Sequence, residues 1–161
     1  MGGFYCGKVA YIDDGDTLDV DVPGNGRKRI RLAGIDAPEM PHDGNPGQKL
    51  ASEARDTICR MIPVGTMVDV IVTGEDPDHP RTIGIINCNG RCINAAMVGL
   101  GMAEVYHEYL DELPRQYQDL LVNMENEAEA NKRGIWGLAF YERPCQYREE
   151  YDPPEQDSPS M

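Results

Sequence analysis

Apolar and polar residues alternate through the first third of the chain. Residues 9–12 form a short apolar run. Leu18, Val20 and Val22 then alternate with Asp19 and Asp21, the period of a strand with one buried face. Pro23-Gly24-Asn25-Gly26 is turn sequence. Beyond it Arg27, Arg29 and Arg31 alternate with Lys28, Ile30 and Leu32. This predicts a hairpin with Ile30 and Leu32 inward and three arginines on the opposite face. Residues 40–47 hold two prolines and two glycines, which exclude helix and central strand. The period then becomes helical: Leu50, Ala54, Ile58 and Met61 or Ile62 share a face, and Pro63 stops the helix. Val68, Val70 and Val72 restore the strand period, and a Pro-rich loop at 76–80 leads through Arg81 to a strand over 83–87. Asn89-Gly90 is a two-residue hairpin turn. Ile93, Ala96, Met97 and Leu100 predict a short helix with Gly101 just past its end. Val105 lies in an extended stretch. Tyr117, Leu120, Leu121, Met124 and Ala128 line the longest helix, which Gly134 is expected to end. Some five short strands interleaved with helices, without strict β-α alternation, predict an α+β domain: a small barrel with packed helices.

Composition narrows the picture. The 161 residues make one domain, assigned to 4–140. Residues 141–161 are rich in proline and contain no aliphatic side chain; their six acids and two arginines leave them at -4. They are expected to be a disordered acidic tail. The whole chain carries 15 basic and 28 acidic residues, a net charge of -13. A general grip on polyanions rests on Lys and Arg, so any nucleic-acid role must reside in a local site. No apolar run approaches 18 residues, so no membrane span is expected. The N-terminus lacks the pattern of an export signal. The expected location is cytoplasmic, or secreted if a signal has been trimmed; a monomer is expected. Cys88 and Cys92 flank the Asn89-Gly90 turn and should point to opposite faces, so free thiols are expected there.

Two short segments carry candidate chemistry. Asp14-Gly15-Asp16-Thr17 alone reads as a turn, and Asp36-Ala37-Pro38-Glu39 alone could merely end a strand. Together they say more. If the strands of the predicted hairpin pair, Asp16, Arg31, Asp36 and Glu39 converge at one end of the barrel. Three carboxylates around one arginine are costly to hold together unless a cation joins them.

Asp14-Gly15-Asp16-Thr17-Leu18-x-Val20, followed ten residues later by Arg31-Leu32-x-x-Ile35-Asp36-x-Pro38-Glu39, resembles the signature of the staphylococcal nuclease (thermonuclease) family over 26 positions. Looser likeness runs from about Gly7 to Gly137. It includes Asn89-Gly90-Arg91-x-Ile93-Asn94, Gly101-Met102-Ala103 and Arg133-Gly134-Ile135-Trp136. The resemblance implies a five-stranded OB-fold barrel with three packed helices. It implies a Ca²⁺-dependent endonuclease that cuts DNA or RNA with little sequence preference and leaves 3′-phosphates. Asp16 and Asp36 would supply carboxylates to Ca²⁺ and Ala37 its carbonyl. Glu39 would steer or accept the proton of the attacking water, and Arg31 and Arg81 would be the catalytic arginines.

The chain departs from the family before Arg81. Where the family has Lys-Tyr-Gly, this sequence has Asp78, His79 and Pro80, so a phosphate-attracting charge becomes a repelling one. Arg27 and Arg29 share a face with Arg31 and are candidate substrate contacts; equally, they could pair with Asp19 and Asp21 across the hairpin. Tyr106 and Tyr109 fall where the family keeps aromatics against a nucleotide. Two alternatives stand beside the nuclease. One is a non-catalytic or weakly active nucleic-acid- or protein-binding module on the same fold. The other reads the acidity as adaptation to high salt.

Overall fold

The computed structural model describes residues 3–151. Five strands build the barrel: β1 (Phe4–Asp14), β2 (Thr17–Val22), β3 (Gly26–Leu32), β5 (Met67–Glu75) and β6 (Thr82–Cys88). β4 (Ile35–Asp36) pairs with β8 (Glu104–Val105) as a separate ribbon, and β7 (Arg91–Cys92) pairs antiparallel with the end of β6. The sheet runs β3-β2-β1-β5-β6-β7. A parallel pairing of β3 with β6, Ile30 opposite Thr82 and Leu32 opposite Gly84, closes it. Closure covers the Ile30–Leu32 end of β3 and so shortens the exposed edge of strands this rich in Val and Ile.

The predicted alternation is realised. Leu18, Val20, Ile30 and Leu32 point inward and are fully buried, while Arg27, Arg29 and Arg31 face the other way. Three helices seal the barrel: α1 (Ala51–Met61), α2 (Ile93–Gly99) and α3 (Arg115–Ala130). Their buried contributions include Ile58, Met97 and Leu121, each worth about 1.5–3 kcal/mol on burial. Asn94, also fully buried, bolts α2 to the barrel. Its Oδ1 accepts from the Ile86 N–H at 3.0 Å, and its Nδ2 donates to the carbonyls of Ala33 and Gly84. The Asn89-Gly90 turn has both residues at positive φ, the geometry that such hairpins require, and Cys88 and Cys92 are free thiols.

Three expectations need correction. Helix α3 ends at Ala130, ahead of Gly134, which instead packs against Gly101 and starts a short 3₁₀ turn. Leu120 is largely exposed rather than part of that helix's buried face. The segment expected to be disordered from residue 141 includes a helix, α4 (Pro144–Tyr151). Its stability comes from docking: Tyr147 is buried, and its hydroxyl accepts from the Gly47 N–H at 2.8 Å. Residues 152–161 of the expected tail lie outside the described residues. Among the described residues no helix is long and apolar enough to cross a membrane.

Candidate active site

The turn between β1 and β2 is built for close approach. A Cβ added at Gly15 would lie 2.8 Å from the Ala54 side chain on α1 and 2.9 Å from that of Ala37. Only glycine lets the turn nest there, and nesting aims Asp16 inward. The Asp16 carboxylate accepts from the Ala37 N–H at 2.8 Å and from the Thr17 hydroxyl at 3.0 Å. The Asp16 carbonyl accepts from Leu32 N–H. These bonds hold the β1–β2 turn, the end of β3 and the segment after β4 at one point.

Arg31 bridges that point. Its Nη1 lies 2.6 Å from Asp16 Oδ2 and its Nη2 donates to Asp36 Oδ1 at 3.2 Å. Both carboxylates are almost wholly buried and the arginine side chain is only 13% exposed. Nη1 makes no aligned hydrogen bond among the described residues, so donor capacity remains for an oxygen ligand. Glu39 follows on a loop braced by Gln48, whose Oε1 accepts from the Glu39 N–H at 3.0 Å. Glu39 lines one cavity with Asp16 and Arg31, so the structure brings Asp16, Arg31, Asp36 and Glu39 together.

Sequence reasoning missed several participants. Asp14 joins the carboxylates: burial, then the charge of Asp16, pushes it up to about 9. Asp16 is pulled the other way. Burial would raise it, but the Arg31 guanidinium and hydrogen bonds from Asp14, Ala37 and Thr17 outweigh that and hold it below the usual range. Burial raises both Asp36 and Glu39.

The larger omission is Arg148 on α4. Its Nη1 and Nη2 donate to the two oxygens of Asp36 at 2.9 and 2.8 Å, and Nη1 also reaches Glu39 Oε1 at 2.6 Å. Its guanidinium lies 5.9 Å from the centre of the Tyr106 ring. The segment leading into the helix is anchored: Gln48 Nε2 donates to the Glu142 carbonyl, and Arg143 Nε donates to both Glu104 carboxylate oxygens at 3.2 and 3.3 Å. Pro144 at the helix start and the Tyr147–Tyr151 spacing were the available signals.

The other expected residues are distributed unevenly. Arg81 lines the same open cavity of about 680 Å³ as Asp16, Arg31 and Glu39. It is tied to Asp76, Nε to Oδ2 at 2.6 Å. Asp76 also accepts from the N–H groups of Asp78 and His79, and so organises the altered loop. Tyr106 and Tyr109 line the cavity too, edge to face at 4.8 Å. Arg27 and Arg29 do not line it. Arg27 pairs with Asp21 at 2.9 Å, and Arg29 with Asp19 and Asp13, the cross-hairpin alternative. Seven carboxylates line the cavity against three arginines.

The donor set suits a hard divalent ion, which prefers carboxylate and carbonyl oxygen. Asp16, Asp36 and Glu39 outnumber Arg31 and Arg148 three to two, with Asp14 beside them raised to about 9. Among the described residues, no group of three or more His, Cys, Asp or Glu side chains forms a ready-made metal shell. Asp16 and Asp36 are the two carboxylates that Arg31 brings together.

Comparison with known proteins bears on the whole domain. The family model described as Staphylococcal nuclease homologue matches residues 29–138. A protein of Shigella flexneri named micrococcal nuclease is 34% identical over 154 residues, covering 89% of this chain and 80% of that protein. The staphylococcal-like nuclease CAN1 of Arabidopsis thaliana is 34% identical over 122 residues, 74% of this chain and 33% of that protein. An uncharacterized protein of Bacillus anthracis is 31% identical over 136 residues, 82% of this chain and 61% of that protein. The chain thus spans a third of the length of the plant protein and 61% of that of the Bacillus protein.

Proposed function

The chain belongs to the staphylococcal nuclease family, and from that premise we propose that it is a phosphodiesterase that hydrolyses DNA or RNA with Ca²⁺, leaving 3′-phosphates. The observation that carries the proposal is the junction of Asp16, Arg31 and Asp36 beside Glu39 at the floor of an open cavity.

Asp16, Asp36 and the Ala37 carbonyl would hold the ion, which supplies charge neutralisation at phosphate and a more acidic water. The residues do the rest. Arg31, fixed at the cavity floor with donor capacity to spare, hydrogen-bonds the phosphoryl oxygens as charge gathers on them. Glu39, only part-buried and on a braced loop, orients the water and takes its proton. Tyr106 and Tyr109 offer ring faces to a base or sugar. Arg81 lines the same cavity, and must exchange Asp76 for phosphate to take part. Arg27 and Arg29 are satisfied by their own hairpin, so substrate attraction falls to the arginines of the cavity.

The test is digestion of single-stranded DNA, duplex DNA and RNA with Ca²⁺, with Mg²⁺ and with chelator, alongside Glu39→Gln. Cleavage requiring Ca²⁺ and falling by roughly 10²- to 10⁴-fold in the variant is expected. A folded protein that cleaves nothing in either ion would refute the proposal in favour of a binding module.

A further inference from the structure

The proposed function leaves Arg148 unexplained, although among the described residues it makes more contacts with the acidic centre than any other cation. It enters from α4, 112 residues away from Asp36 in sequence. Its two terminal nitrogens meet both oxygens of Asp36, and one of them also binds Glu39. Arg31 takes a further position on Asp36 Oδ1. The open edge of Asp36 is therefore filled by a fork-to-fork ion pair.

That edge is also what a divalent ion would need. A carboxylate oxygen offers its lone pairs in its own plane, and a bidentate guanidinium uses the same plane. A doubly charged ion on Asp36 would also lie within a few ångströms of the guanidinium, where like charges in a buried setting repel strongly. Resting on the reading of Asp16 and Asp36 as cation ligands, the geometry points to Arg148 as the residue that sets cation affinity here: its guanidinium and the divalent ion compete for Asp36, while the same guanidinium holds Glu39.

The competition needs only a side-chain movement. Helix α4 is held independently of Arg148 by Tyr147 on Gly47, by the Glu142 carbonyl on Gln48 and by Arg143 on Glu104. Arg148 is 31% exposed at the cavity mouth, and the ring of Tyr106 already lies beside it. On release the guanidinium has water and an aromatic face to receive it. While engaged, it also ties up Glu39, so the resting enzyme has neither a free ligand at Asp36 nor a free base. Linkage is reciprocal: whatever Arg148 costs the ion, the ion costs the Arg148 contact.

Calorimetric titration of the full chain with Ca²⁺ alone, without nucleic acid, tests this. Arg148→Gln should bind roughly ten- to a hundredfold tighter than the wild type, a usual range for coupling between two sites. Arg148→Lys keeps the charge without the fork and should fall between. It also serves if the glutamine variant does not fold, as judged by circular dichroism. In wild-type protein, Ca²⁺ should shift the Arg148 Nε–H resonance, a readout independent of activity. Equal or weaker Ca²⁺ binding by both variants, with binding abolished by Asp16→Asn, would overturn the competition and leave the cation site standing. Absence of binding in every protein at millimolar Ca²⁺ would overturn the cation reading itself, and this inference with it.

Discussion

Replacing Arg31 with glutamine tests how the acidic centre is held together. The side chain is 13% exposed and spans two nearly inaccessible carboxylates, at 2.6 Å to Asp16 and 3.2 Å to Asp36. Glutamine keeps much of the volume and removes the charge. One guanidinium, Arg148, would then remain for the carboxylates of Asp16, Asp36 and Glu39, and it touches only the last two. Removing one member of a buried pair costs about 3–5 kcal/mol, against a total stability of roughly 5–15 kcal/mol for a domain. The variant should still fold. Its thermal midpoint in chelator should drop by roughly 6–20 °C, since 1 kcal/mol moves a chain of this size by about 2–4 °C. Millimolar Ca²⁺ should restore more of that loss than it adds to the wild type, because the ion replaces missing positive charge. The assay is circular dichroism melting with and without Ca²⁺, followed by cleavage at 20 °C on protein shown to be folded. The rate should fall by about 10²- to 10³-fold, the usual effect of deleting one donor to a charged transition state. A midpoint within about 2 °C of the wild type in chelator would refute the view that Arg31 holds the carboxylates together. A folded variant within about tenfold of wild-type activity would refute its role toward phosphate.

Two further outcomes follow from the same structure. Asn94→Ala strips partners from the Ile86 N–H and the Ala33 carbonyl, two groups at the buried junction of α2 and the barrel; it should cost about 3 kcal/mol in urea unfolding. Asn94→Asp should cost at least as much, because a carboxylate would face the carbonyls of Ala33 and Gly84, and a milder loss would contradict the donor role assigned to Nδ2. Asp78 is exposed on the loop before Arg81 and is one of seven acids lining the cavity. Asp78→Lys should lower KM for single-stranded DNA by about threefold at low salt, fading toward molar salt as screening sets in. An unchanged KM at low salt would show that this departure from the family is neutral.

What the sequence could and could not reveal follows from how each feature is encoded. The barrel was legible because two-residue alternation at Leu18–Val22 and Arg27–Leu32 sets strand faces locally, and the Pro23–Gly26 turn sets their register. Arg31 beside Asp16 was legible for the same reason, since hairpin pairing carries Arg31 to Thr17; Asp36 and Glu39 lie beyond the hairpin, and it was the Asp36-Ala37-Pro38-Glu39 signature that marked them. The outcome for Arg27 and Arg29 was foreseeable only as one of two options. Register places Arg29 opposite Asp19 and Arg27 opposite Asp21, but pairing across a strand does not by itself decide between a neighbour and a ligand. Arg148 lay beyond reach. Helix α4 has no aliphatic face, and its composition matches that of a solvated segment. What orders it is not its own periodicity but three contacts with the 47–48 loop and Glu104. Such long-range pairings leave no periodic trace, because nothing in the spacing of Tyr147 and Arg148 names Gly47 or Asp36 as partners. The same property makes α4 consequential. A guanidinium carried on a separately anchored helix can engage or leave Asp36 without disturbing the barrel that fixes Asp16 and Arg31.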